Sequence, residues 1–162
     1  MKWFQFDQNN SGGHFVVDNK VCHRLFIEAE SFDDAVEKAE EFGCYWNGVD
    51  KGIDCPCCGD RWRYNEFPID IEKYNTEGYR VSVYDGFSLD AITQWNKKYG
   101  KYEVIEAPTW QGTYNFYAGR IRFHNIEEYV QYLADEYGWT TPDARIYYYD
   151  ESVKEIFSRT IK

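Results

Sequence analysis

The segment Cys55-Pro56-Cys57-Cys58-Gly59 carries the chemistry that is easiest to recognise in this sequence. Cys55 and Cys58 are separated by two residues, and thiolates at this spacing can bind one tetrahedral zinc ion. The proline favours a turn, and the glycine lets backbone N–H groups approach the sulfur atoms. Zinc needs four ligands, and no second pair with this spacing is present. We therefore predict a structural zinc site that also uses Cys44 and Cys22, with His14, His23 and Cys57 as the other candidate ligands.

Two other interpretations of these cysteines remain open. A redox-active pair normally lies between a strand and a helix N-terminus. The residues after the motif, Gly59-Asp60-Arg61-Trp62-Arg63, instead predict a turn followed by a strand. The cysteines could also be reduced and packed in the interior. A disulfide framework is not expected, because the cysteine count of 5 is odd and the chain lacks a signal-peptide pattern.

A polar loop near the N-terminus is a second candidate site. It contains Asn9, Asn10, Ser11, Gly12 and Gly13. Such residues can direct several backbone N–H groups to one point and so bind a phosphate or a nucleotide. The spacing matches neither a P-loop nor a dinucleotide-binding fingerprint. The alternative is an ordinary hairpin loop that requires positive φ angles.

A third candidate site combines basic and aromatic residues. Arg61 and Arg63 alternate with Trp62, and on a strand the two arginines would project from the same face. Arg120 and Arg122 have the same spacing. Paired arginines beside an aromatic ring could stack on a base or bind phosphate groups. The alternative is that they pair with nearby carboxylates.

The net charge of −10 is concentrated in two segments. Residues 28–41 contain seven acids and one base, residues 125–138 contain four acids and no base, and the rest of the chain is balanced. Both segments are predicted to be amphipathic helices. We therefore predict that their acidic faces bind a basic partner, whereas a solvated surface is the alternative. The residues proposed for this contact are Glu37, Glu40, Glu41, Glu127 and Glu128.

Three helices are predicted from apolar residues that recur at i, i+3, i+4 and i+7. The first follows Ser31 as N-cap and ends at Gly43. The second lies between Asn125 and Gly138 on the same grounds, and the third covers residues 89–99.

Alternating apolar and polar residues predict the strands. They are placed at residues 2–6, 14–17, 22–29, 79–84, 102–106, 113–117, 120–124 and 145–149, with a strand or a helix at 153–157. The first two should form a hairpin. The resulting class is α+β, a mixed and mainly antiparallel sheet with about three amphipathic helices on one face. We expect one domain over residues 1–162, or two lobes at 1–67 and 68–162.

The composition excludes several classes of protein. With 43% hydrophobic and 20% aromatic residues, the chain is neither disordered nor a coiled coil. No apolar run approaches the ~20 residues of a membrane span, and we expect a cytoplasmic protein. The chain has 3 histidines and none of the common hydrolase or metalloprotease motifs, so binding is favoured over catalysis.

Several of these motifs together resemble a group of small, acidic, uncharacterised bacteriophage proteins. They are Cys22-His23-Arg24, Cys44-Tyr45-Trp46-Asn47-Gly48 and the Cys-Pro-x-Cys-Gly-x-Arg-Trp pattern that ends at Trp62. The resemblance covers roughly the first 65 residues. It implies no activity, but it suggests a phage protein that acts on host machinery in the host cytoplasm.

The sequence thus predicts a non-enzymatic phage-type binding protein that inhibits a host defence system. It would sequester a nucleotide-like signal or bind a host effector. One alternative is an acidic mimic of nucleic acid that occupies the basic groove of a DNA- or RNA-binding enzyme. Another is a small zinc-binding structural or interaction module. Neither a membrane nor direct nucleic-acid binding is expected.

Overall fold

The computed structural model describes residues 1–84, 102–106, 116–137 and 141–159. Within these ranges the strands are β1 (Lys2–Gln8), β2 (Arg24–Ala29), β3 (Trp62–Tyr64), β4 (Tyr79–Tyr84), β5 (Tyr102–Glu106), β6 (Phe116–Ile121), β7 (Ala144–Tyr147) and β8 (Val153–Ile156). The helices are α1 (Phe32–Phe42), α2 (Ile71–Thr76) and α3 (Ile126–Tyr137), and Ser11–Gly13 forms a 3-10 turn. No helix in the described part is long and apolar enough to cross a membrane.

The chain divides into two compact units. Unit 1 contains Met1–Ile69 and Tyr129–Thr160, and unit 2 contains Asp70–Glu128. Unit 1 is discontinuous because the C-terminal strands β7 and β8 join the sheet that the N-terminal strands begin.

The sheet of unit 1 has the order β3-β1-β2-β7-β8. The β2–β7 pair is parallel, and the other three pairs are antiparallel. This arrangement confirms the predicted α+β class with a mixed, mainly antiparallel sheet.

The ends of α1 and the start of α3 follow the predicted capping residues. The Oγ atom of Ser31 accepts a hydrogen bond from the Asp34 N–H, and Gly43 ends α1 with a φ of 119°. Asn125 Oδ1 accepts a hydrogen bond of 2.9 Å from the Glu128 N–H. These helix ends could be predicted from the sequence because each capping residue acts within a few residues of the helix end. The helix predicted at 89–99 lies outside the described residues.

The core of unit 1 covers both faces of β2. Leu25 and Ile27 pack with Ala35 and Ala39 of α1 in one buried cluster. Phe26 alternates onto the other face, where its ring meets that of Tyr129 of α3 with centroids 6.3 Å apart. The prediction that the helices share one face was therefore wrong, because the central strand is apolar on both sides.

Two strand predictions in the described residues also need correction. Residues 14–17 are not a strand. Their backbone is held by the amide of Gln8, which donates to Val16 O and accepts from Val16 N, while β1 pairs with β2 and β3. In the second case, two strands were predicted at 113–117 and 120–124. Residues 113–115 lie outside the described residues. The described remainder contains one continuous strand, β6, which pairs across Gly119 with β4 and β5 and ends before residues 122–124.

Unit 2 contains a three-stranded antiparallel sheet of order β4-β6-β5. Tyr74 of α2 packs against Tyr79 and Phe123, with ring centroids 5.3 and 6.0 Å away. The short helix α2 was not predicted, although Asp70 caps it by accepting a hydrogen bond from the Lys73 N–H. Its six residues are too few for a periodic apolar stripe.

Candidate functional site

The segment Cys55-Pro56-Cys57-Cys58-Gly59 forms a tight turn, called the cysteine turn below. The N atoms of Cys58 and Gly59 lie 3.2 and 3.0 Å from the carbonyl oxygen of Cys55. The backbone N–H groups of Cys58 and Cys57 point towards the Cys55 sulfur, and these hydrogen bonds lower the pKa of the Cys55 thiol below its usual value. Cys55 is therefore more readily deprotonated than an ordinary cysteine, and the thiolate is the form that binds metals and reacts with electrophiles.

The predicted anion-binding loop is docked against the cysteine turn. Asn9 Nδ2 donates to the carbonyl oxygen of Cys58 at 2.5 Å, and the hydroxyl of Ser11 accepts a hydrogen bond from the Cys55 N–H. Ser11 is buried, whereas Asn10, Gly12 and Gly13 are exposed. Two sites that the sequence treated separately are thus parts of one surface structure.

Arg61 holds this structure together from inside. It is 7% exposed, and its guanidinium donates to the carbonyl oxygens of Ser11 and His14 at 2.6 and 2.9 Å. Trp62 is also buried, while Arg63 is exposed. Arg61 precedes β3 in a bend, so the two arginines do not share the exposed face that strand alternation predicted.

The four cysteines predicted as zinc ligands are not brought together. Cys22 and Cys44 are buried in the core of unit 1, where burial raises their pKa values to about 11 and about 12. Cys55 and Cys58 lie in the cysteine turn. Within the described residues, no group of three or more His, Cys, Asp or Glu side chains could hold a metal ion. The predicted ligand set therefore does not fit a closed zinc site, and the zinc itself stays a prediction.

The acidic residues predicted to bind a partner differ in their surroundings. Glu37, Glu40 and Glu41 of α1 are exposed, and Glu40 accepts a hydrogen bond from the indole N–H of Trp46. Glu127 and Glu128 of α3 are half-buried, and Glu128 accepts from the His124 N–H. All three predicted carboxylates of α1 are therefore exposed.

A cavity of about 480 Å³ opens in unit 1 on the face of the sheet opposite α1. We call it the Asp7 cavity. Its lining residues come from β1, β2, the neighbouring coils and α3: Gln5, Asp7, Gln8, Phe15, His23, Arg24 and Leu133. Asp7 and Arg24 are direct partners in the β1–β2 register, so strand pairing itself places the acid beside the base.

The polar wall of the cavity is a chain of charged groups. The Nε atom of Arg24 lies 3.8 Å from Asp7 Oδ1, and its Nη1 atom donates to Asp143 Oδ2 at 2.6 Å. Burial raises the pKa of Asp143 to about 6 although Arg24 opposes this change. Burial also raises the pKa of Asp7, against a hydrogen bond from the Gln5 amide and the charges of the neighbouring arginines. Two carboxyl groups thus share one guanidinium.

Another part of the cavity lining is aromatic. The rings of Phe15 and His23 have centroids 4.3 Å apart. His23 is 5% exposed, and burial lowers its pKa from the ordinary value, an effect to which the Arg24 charge adds. The ring is therefore predominantly neutral near pH 7. The two ring planes are inclined by 54°, so the pair offers an uncharged aromatic lining on which a base could pack against one ring.

Comparison with known families gives one match. The family model described as a domain of unknown function (DUF7296) matches residues 1–104. The chain belongs to this family. No curated protein and no solved structure matches. The description of the DUF7296 family names no activity and no source, so the resemblance to bacteriophage proteins stays a prediction.

The DUF7296 region contains both the cysteine turn and most of the Asp7 cavity. Asp143 and Leu133, by contrast, come from beyond the matched residues. Sequence reasoning missed this cavity, although Gln5 and Asp7 alternate on a predicted strand and so had to share a face. No local signal marked Asp143, because its role depends on a contact between residues 119 positions apart.

Proposed function

We propose that this DUF7296 protein is a non-enzymatic binding protein whose nucleotide-like ligand places its base in the Asp7 cavity. The observation that carries the proposal is the combination, in one cavity, of an aromatic wall with a carboxylate that has an unused oxygen. Planar bases bind proteins by stacking on aromatic rings and by hydrogen bonds along their edges.

The carboxylate of Asp7 has room for a ligand. Its Oδ1 atom accepts a hydrogen bond of 2.9 Å from Gln5 Nε2, while Oδ2 forms none with the described residues. The side chain is 48% exposed. Among the described residues, Oδ1 accepts only this one hydrogen bond and can accept a second, so the two oxygens together can accept from a base edge that presents adjacent N–H donors, as guanine does with N1–H and its amino group.

The charges in the cavity argue for recognition of the base and against recognition of a phosphate. Arg24 is already shared by Asp7 and Asp143, so the cavity has no surplus positive charge. An anionic group placed there would meet the Asp7 carboxylate in the lining. Sequestration of a nucleotide-like signal, as the sequence predicts, would therefore depend on the base.

Isothermal titration with nucleosides tests this proposal without any contribution from phosphate. We expect guanosine to bind and adenosine, which presents an acceptor at N1, to bind at least about tenfold more weakly. Asp7→Asn should weaken guanosine binding by about ten- to a hundredfold, since it replaces a charged acceptor.

Asp50→Asn is the matched control, because Asp50 is an exposed acid outside the cavity. It should leave binding unchanged. Absence of heat with every nucleoside, or equal affinities of the wild type and the Asp7→Asn variant, would contradict the proposal. Interference with a host defence system is a separate step, which stays a prediction.

The other predicted mechanism, binding of a host effector, is supported by the exposed carboxylates Glu37, Glu40 and Glu41 on α1. Reversing them to lysine should weaken a complex captured from host extract and alter its salt dependence. If the complex persists with the same salt dependence, α1 is not the interface.

A further inference from the structure

Two arginines of unit 2 lie side by side on adjacent strands. Arg80 on β4 is directly opposite Arg120 on β6 in the antiparallel register. Both are exposed, and neither forms an ion pair or hydrogen bond with the described residues. Like charges directly opposite each other destabilise a sheet, so the pairing of β4 with β6 does not itself favour this arrangement.

The two arginines line a groove of about 500 Å³ together with Thr76, Glu77 and Gly78. We call it the arginine groove. Gly78 has a φ of 83°, and a Cβ atom there would lie 3.0 Å from the Cβ atom of Arg120. Because glycine has no Cβ atom, the backbone at Gly78 can pass close to the Arg120 side chain. Glycine also adopts the positive φ angle of this position without strain.

A third arginine stabilises the edge of this groove. Arg122 Nη1 donates to the carbonyl oxygens of Asn75 and Thr76 at the end of α2. Carbonyl oxygens at a helix C-terminus carry partial negative charge, and Arg122 compensates it. Arg122 thus has a structural use that Arg80 and Arg120 lack.

We propose that the arginine groove binds the phosphate groups of a small molecule, and that a diphosphate is its best ligand. Directly opposed residues have Cβ atoms about 5 Å apart, so two guanidinium groups can donate to one phosphate or to two linked ones. Glu77 is the one acid among the described residues that line the groove, and Glu103 of β5 is opposite Arg120 in the β5–β6 register. The site is independent of the Asp7 cavity and of the function proposed there.

Titration of the full chain with inorganic pyrophosphate at low ionic strength tests this site. The wild type should bind pyrophosphate more tightly than orthophosphate. Arg80→Gln and Arg120→Gln should each weaken pyrophosphate binding at least about tenfold, since each removes one charged donor. Lys154→Gln, on the exposed strand β8 of unit 1, makes the same charge change and should have no effect.

Three results would overturn the proposal. The first is absence of pyrophosphate binding to the wild type at millimolar concentration. The second is an equal loss with Lys154→Gln, which would indicate a general charge effect. The third is tight, Arg80-dependent binding of a single-stranded oligonucleotide without pyrophosphate binding, which would identify a macromolecular ligand. Thermal unfolding provides the folding control. Arg80→Gln should keep or raise the melting temperature, because it removes a like-charge pair.

Discussion

The Nη1 atom of Arg24 lies 2.6 Å from Oδ2 of Asp143 and joins the start of β2 to the residue before β7. The Arg24 N–H also donates to the Asp143 carbonyl oxygen at 3.0 Å. The second carboxyl oxygen of Asp143 is buried and has no hydrogen-bond partner among the described residues. One side chain therefore fixes the parallel register and at the same time carries a desolvated charge.

This arrangement predicts an unusual pH dependence of stability. Burial raises the pKa of Asp143 from 3.8 to about 6, so the folded state takes up a proton at a higher pH than the unfolded state does. The stabilising contribution is complete below the unfolded pKa and is lost as the pH rises through about 6. Between about pH 7 and 4.5, the wild type should gain about 2 kcal/mol in free energy of unfolding relative to Asp143→Asn.

Urea denaturation at the two pH values measures this difference, and Asp50→Asn should follow the wild type at both. If the free energy of unfolding changed equally with pH in Asp143→Asn and in the wild type, Asp143 would have an ordinary pKa in the folded protein.

The cysteines should fall into two classes of reactivity. The Cys22 and Cys44 thiols are buried with pKa values of about 11 and about 12, so they should react with a thiol reagent only after unfolding. Cys55, whose pKa is lowered, and the exposed Cys57 should react quickly in the folded protein. Mass spectrometry after brief alkylation identifies the labelled sites, and early labelling of Cys44 would contradict this packing.

Gly48 should tolerate no side chain. A Cβ atom there would lie 1.8 Å from Asp54 Oδ2 and 2.8 Å from a ring carbon of Tyr45. Asp54 accepts hydrogen bonds from the Tyr45 hydroxyl and the Arg61 N–H, so it cannot move without losing them. Gly48→Ala should lower the free energy of unfolding by about 3 kcal/mol.

Gly52→Ala is the control for this prediction. It tests the cost of a side chain at a positive φ angle without the steric clash that is expected at Gly48. Gly52 has a φ of 73° but no atom within 4 Å of an added Cβ, so the alanine should cost only about 1 kcal/mol. Equal losses in the two variants, measured by urea denaturation, would show that Asp54 yields to the new methyl group.

Arg61 should be irreplaceable by lysine. Its guanidinium donates to Ser11 O, His14 O and Gln8 Oε1, and the compact ammonium of lysine cannot reach all three. Arg61→Lys should destabilise the protein by about 2 kcal/mol and increase protease cleavage near residues 9–14. Arg63→Lys, at an exposed position, should change neither, and cleavage that rises equally in both variants would contradict the role of Arg61.

Local signals explain why much of the fold could be predicted. Ser31, Gly43 and Asn125 mark helix ends through hydrogen bonds that span three or four residues. Residues 14–17 have the apolar, β-branched composition that is typical of a strand, but they do not form one. What holds them is the side-chain amide of Gln8, which no backbone pattern encodes.

The candidate site was harder to predict, because its parts are brought together by tertiary structure. From the sequence alone, Arg61 is expected at the surface like most arginines. It is buried because it binds the carbonyl oxygens of a loop that is 50 residues away in the chain. The Asp7 cavity depends on the pairing of β1 with β2, and its charge balance depends on Asp143. Strand alternation identifies which neighbours share a face, but it does not identify which distant residue reaches them.

The parallel pairing of β2 with β7 has a consequence for folding. β2 lies in the middle of the sheet, and β7 comes from beyond the DUF7296 region. Until that distant segment arrives, β2 presents an unpaired, apolar edge, which is the kind of edge that recruits other chains. Pairing over such a sequence separation also slows folding, because a long loop must close first. A nascent chain that stalls before β7 is therefore the form of this protein most exposed to aggregation.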